Sequence, residues 1–116
     1  MNGNRLLGLL GICRKAGRLK LGFDPVAQSL GKDACLLIFS GDISPKTKER
    51  MLKKAGGLDI KSLTLAETSD DIWRAVGKRV AVMAITEEGL AKRAAELYSP
   101  AHSLSTENYD EEDTDL

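Results

Sequence analysis

The chain has 116 residues, 42% of them apolar, and 17 basic against 17 acidic side chains, which is the size and make-up of one soluble domain that folds around a single core without metal or cross-links. No apolar run approaches the roughly 20 residues of a membrane span, and the segment up to Arg14 is too short and too charged for a secretion signal, so a cytoplasmic location is expected. The zero net charge hides a segregation: six acids (Glu107, Asp110, Glu111, Glu112, Asp113, Asp115) fall in the last ten residues, leaving residues 1–100 at +6 and residues 101–116 at −6.

Leu6, Leu9, Leu10, Ile12, Cys13 and Ala16 recur with the 3.6-residue period, which predicts a helix over residues 4–16 ended by Gly17. The next stretch, "GRLKLGFDPVAQSL", brings Arg18, Lys20 and Gly22 up to a short helix over residues 24–30, with Asp24 expected as its cap and Pro25 as its first helical residue. "CLLIF" (Cys35–Phe39) reads as a strand buried on both faces. A helix is then predicted from Pro45 to Ala55, capped by Ser44 and stopped by Gly56 and Gly57. "KSLTLA" reads as a strand, Thr68 or Ser69 caps a helix through Val76, and "VAVMAI" (Val80–Ile85) is a second buried strand. Thr86, Glu87 and Glu88 open a last helix to about Tyr98. Helices alternating with buried strands predict an α/β domain with helices on both faces of a small sheet. From Pro100 the chain lacks apolar periodicity, so the domain is expected over residues 1–98 and a disordered acidic tail over 99–116.

The catalytic repertoire is thin. The single histidine, His102, lies in the expected tail, so no Ser-His-Asp or Cys-His arrangement can be placed on the body. Cys13 and Cys35 sit in apolar segments without CxxC spacing and read as reduced core thiols, leaving no zinc ligand set. Nucleotide-cradling glycine loops are absent too, so neither enzyme, cofactor nor metal is expected. Asp42, in "SGDISP" just past a buried strand, stands where a phospho-accepting aspartate would, but the acids that hold a divalent ion there are missing, and an Asx turn into the Ser44–Pro45 helix is the favoured reading.

Three basic clusters remain beside predicted element ends: Arg14, Lys15, Arg18 and Lys20; Lys46 and Lys48; and Arg74, Lys78 and Arg79 around Gly77. Each alone reads first as a solvated face. Loops at one end of an α/β sheet can converge, however, and together these cations would neutralise phosphates while helix-start amides add directional donors. Trp73 either packs or stacks on an unpaired base.

"LLGICRKAGRLKLGFDPV", "LLIFSGDISPKTK" and "RAVGKRVAVMAITEEGLAK", in this order and spacing, resemble the kink-turn RNA-binding ribosomal-protein family of the L-seven-Ae and L-thirty-e type, and most its small bacterial, YlxQ-like branch. The resemblance spans residues 5 to about 97. It implies a three-layer α/β/α sandwich with a small mixed sheet and a non-catalytic protein that binds structured RNA, ribosomal RNA among the candidates, through its second helix start and adjacent loops. In that family the segment reads Gly, any residue, Asn, Glu, two further residues, then Lys. Here Gly22 is kept, while Asp24, Pro25 and Gln28 stand at the three polar positions. Asp24 cannot donate as asparagine does, Pro25 offers only ring atoms and Gln28 lacks the charge. The set implied to touch RNA is therefore Arg14, Lys15, Arg18, Lys20, Gly22, Asp24, Gln28, Asp42, Lys46, Lys48, Arg74, Gly77, Lys78 and Arg79. The alternative is a protein-interaction or assembly module on the same fold, and a weaker one a phosphate-regulated domain centred on Asp42.

Overall fold

The structure is a computed structural model that describes residues 2–98, with side chains from residue 5 onward. The acidic tail expected over 99–116 lies outside the described residues. Five helices, α1 (Asn2–Lys15), α2 (Phe23–Ser29), α3 (Pro45–Ala55), α4 (Ser69–Val76) and α5 (Glu88–Leu97), alternate with four strands, β1 (Leu19–Leu21), β2 (Leu36–Phe39), β3 (Lys61–Thr64) and β4 (Val82–Ile85).

The strands lie in the order β1-β4-β2-β3, with β4 antiparallel to both its neighbours and β2 parallel to β3. The two central strands are buried along their whole length, as their unbroken apolar runs require. Alternate residues face opposite layers. Leu36 and Ile38 of β2 and Met83 and Ile85 of β4 join Leu6, Leu10 and Cys13 of α1, Ile72 and Val76 of α4, and Ala91 and Ala94 of α5 in one core. On the other face Leu37, Phe39, Val82 and Ala84 meet Val26 of α2 and Met51 and Ala55 of α3. The result is an α/β/α sandwich on a mixed sheet, as expected.

Two local expectations give way. The "LKL" of the basic approach segment is a strand, β1, paired Leu19 with Ile85 and Leu21 with Met83, where a loop was expected. Three residues are too few to show a period of two, and only the neighbouring β4 reveals the pairing. The second helix starts at Phe23, with Gly22 as N-cap and no side-chain cap bond, so Asp24 is a first-turn residue and not the cap. Pro25 then falls at the third helical position, whose N–H has no partner inside the helix in any case.

Candidate functional site

Because β1, β2 and β3 run the same way and β4 runs against them, four connections meet at one end of the sheet: the exits of β1, β2 and β3 and the entry to β4. Backbone bonds sew them together. Gly22 N–H donates to Val82 O at 3.0 Å, Ser40 N–H to Ala81 O at 2.9 Å, and Gly41 N–H to Glu67 O at 2.7 Å. The carboxyl ends of strands are where open α/β sheets place their ligands.

Two glycines are required here. Gly22 has φ 97° and ψ 164°, a conformation open essentially to glycine alone. A Cβ on Gly41 would stand 2.7 Å from the carbonyl oxygens of both Leu65 and Ala66, so only a bare backbone lets the β2 exit pass under the β3 exit.

Asp42 sits in a turn as expected, closed by Ile43 N–H donating to Ser40 O at 3.3 Å, but its side chain does not serve that turn. Its carboxylate reaches across to the start of α4, accepting from the Ser69 amide and the Ser69 hydroxyl at 2.9 Å each, a contact spanning 27 positions of sequence. The neighbouring Ser40 hydroxyl first, then the Ser69 hydroxyl and amide, hold this carboxyl below the usual aspartate range. The Ser40 hydroxyl is itself fully buried and closes no hydrogen bond of normal geometry. Asp42 thus ties two connections of the edge together while staying exposed.

The cations divide into groups. Lys46 and Lys48 stand in the first turn of α3, which Ser44 caps by accepting from Thr47 N–H at 3.1 Å. Lys48 lies over the Phe39 ring, 5.6 Å from its centre. Lys78 and Arg79 form the return from α4 to the β4 entry, and Arg79 pairs with Asp70 on the surface, an ion pair of little stabilising value. These join Gly22, Asp24 and Asp42 at the edge.

The other seven candidates lie off it. Lys20 and Gln28 line a shallow groove between β1 and α2 together with Pro25 and Lys32. Arg14 donates to the Val76 carbonyl at the end of α4, beside Gly77, which closes that helix at φ 82°. Arg74 is exposed on α4. Lys15 ends α1, and Arg18 follows the turn beyond it, its carbonyl accepting from Thr86 N–H at 2.9 Å. Thr86 follows the carboxyl end of β4, so Lys15 and Arg18 lead to the opposite end of the sheet, and the expected convergence of all three clusters is only partial.

Among the described residues no group of three or more His, Cys, Asp or Glu side chains could hold a metal ion, and no helix is long and apolar enough to cross a membrane. Both cysteines are free; burial pushes their thiols above the ordinary value, and nearby carboxylates, Glu87 for Cys13 and Glu88, Glu87 and Asp33 for Cys35, push the same way. Cys35 is only half-buried, at the rim of the core rather than within it.

Sequence reasoning missed the Asp42–Ser69 bridge and the tightness at Gly41, since both depend on connections far apart in the chain. It also left Trp73 between packing and exposure. Trp73 is 51% exposed.

No protein-family model matches the chain, and no curated protein matches it at a significant level. Solved structures do. A protein with unknown function from Bacillus halodurans superposes with a TM-score of 0.74 at 28% identity, over 79% of this chain and 94% of that one. The Giardia lamblia 15.5kD RNA binding protein superposes with a TM-score of 0.69 at 18% identity, over 89% of each chain. The chain therefore has the fold of these two proteins across nearly all its described length.

Proposed function

We propose that the chain is a non-catalytic RNA-binding protein of the kink-turn-binding ribosomal-protein family, in its small bacterial YlxQ-like branch, acting in the cytoplasm on structured RNA such as ribosomal RNA. The observation that carries this reading is the shared edge. There the Gly22 helix start, the Asp42 bridge, the first turn of α3 with Lys46 and Lys48, and the Lys78–Arg79 return lie on connections joined by backbone bonds. Without a Cβ at Gly22, RNA can approach the backbone closely, and first-turn amides and flanking cations suit a phosphate backbone. That the Giardia protein with this fold is an RNA binding protein supports the reading. Lys20, Gln28, Arg14, Arg74 and Gly77 extend the surface from its sides, and Lys15 and Arg18 are its outlying cations. Residues 1–98 are the RNA-binding domain, and residues 99–116 are an acidic segment apart from it.

A second reading, a protein-interaction module on the same fold, draws on Ile12, an apolar side chain left 58% exposed on α1. Gel-shift titration across a salt series separates the two. RNA binding through phosphates weakens linearly in log affinity against log salt, and a bulged or bent hairpin is held more tightly than a fully paired duplex of equal length. Equal affinity for both RNAs at one fixed salt sinks the shape-specific reading. Kink-turn specificity is tested in the same assay by Asp24→Asn, Pro25→Glu and Gln28→Lys together. They return an amide donor and a positive charge and are expected to tighten binding to a standard kink-turn.

A further inference from the structure

We propose that Trp73 is a stacking site for an unpaired nucleobase, a subsite that rests on the RNA-binding reading and extends it onto the outer face of α4. On this eight-residue helix Ile72 and Val76 are buried, while Asp70, Trp73, Arg74 and Gly77 fall at the i, i+3, i+4 and i+7 positions of the exposed face. Trp73 as a residue is about half exposed, far more than core packing of a large apolar side chain leaves.

Guanidinium groups reach this helix from three elements. Arg74 follows Trp73 directly, Arg14 of α1 donates to the Val76 carbonyl three residues beyond it, and Arg79 of the return to β4 pairs with Asp70 three residues before it. Asp70 therefore does not stand as an unanswered negative charge in front of an RNA strand, and Asp71 is engaged in the helix cap, accepting from Thr68 N–H. An exposed indole on a helix that arginines also reach is the chemistry of single-stranded nucleic-acid binding: the ring stacks on any base, and guanidinium groups hold flanking phosphates or stack in turn. The Lys78–Arg79 return runs from α4 to the β4 entry and so links Trp73's helix to the end of the sheet where Gly22 lies.

Trp73 is the only tryptophan, so intrinsic fluorescence of the full chain reads this ring alone. The probes are a synthetic RNA hairpin carrying an unpaired bulge and the same hairpin with the bulge deleted. Each is followed by tryptophan fluorescence and by gel shift. The bulged hairpin is expected to quench the indole over the concentration range of the gel shift, and the paired one much less. Trp73→Ala is expected to lose about 5- to 150-fold in affinity for the bulged hairpin, and Trp73→Phe to recover most of it. Binding by gel shift with a silent indole and undiminished affinity of Trp73→Ala overturns this subsite and leaves the RNA reading standing. Failure to bind either hairpin at low salt overturns both. A dimer in sedimentation that Trp73→Ala dissolves assigns the ring to a protein interface and overturns the subsite.

Discussion

The starts of α2 and α4 stand at the same end of the sheet and are built on opposite plans. At α4 the Thr68 hydroxyl accepts from Asp71 N–H, the Asp71 carboxylate accepts from Thr68 N–H at 3.0 Å, and Asp42 takes the Ser69 amide from another connection. Its first turn also carries Asp70 and Asp71, which complement the helix dipole, Asp70 paired with Arg79 and Asp71 held in the cap. At α2 no side chain caps the helix, the N-cap is a glycine in a backbone conformation other residues avoid, and Asp24 is the only acid of the first turn. A helix start closed by its own side chains adds stability, whereas one left to bare backbone gives up that stability and stays open to a partner.

The largest effect expected on the α4 side comes from Gly41→Ala. The new methyl meets two carbonyl oxygens at 2.7 Å, both of them backbone, so neither can swing away. A loss of about 3 kcal/mol is expected in chemical denaturation, at the upper end of overpacking costs. An unchanged midpoint would mean that the two exits have room the geometry does not show.

The comparison itself is tested by pairing Gly22→Ala with Thr68→Ala. Forcing alanine to φ near 97° costs on the order of 1–3 kcal/mol, and loss of the Thr68 cap about 1 kcal/mol. If the two plans differ as argued, Gly22→Ala also weakens RNA binding at fixed salt, while Thr68→Ala lowers stability and leaves RNA affinity as it was. Equal RNA affinities for both variants would break the distinction.

The smallest effect concerns Asp42. Its carboxyl is held below the usual aspartate range, so the fold favours the charged form. The stabilisation is present above the unfolded-state value and is lost as the pH falls through the lowered native one. Asp42→Asn is therefore expected to be modestly less stable than the unchanged protein at neutral pH, with the gap closing in acid. Denaturation curves at the two pH values measure it, and a gap independent of pH would show that the Ser69 contacts do not depend on charge.

Much of the fold was legible because its signals are local. Leu6, Leu10 and Cys13 mark the buried stripe of α1, Ser44 and Pro45 open α3 at the residues expected, and Thr68 caps α4. The four-residue buried runs of β2 and β4 differ from the expected strands only at their ends. The Leu19–Leu21 strand escaped because Lys20 between two leucines looks the same in a loop and on a sheet edge. The Asp24 cap was misplaced because an Asp-Pro pair satisfies a local rule that the pairing of Gly22 with Val82 overrides.

The sequence by itself determined the layers and the charge segregation, since periodicity, caps and composition act within a few residues and need no partner. It also brought the cations to element ends. Which of those ends share a surface was decided by the order and direction of the strands: β4 running against its neighbours gathers Gly22, Asp42 and Lys78–Arg79 at one end and leads Arg18 to the other. The Asp42–Ser69 bridge and the exposure of Trp73 belong to the same class. Both depend on contacts made or withheld between segments far apart in the chain, and such contacts exist only once the sheet has closed.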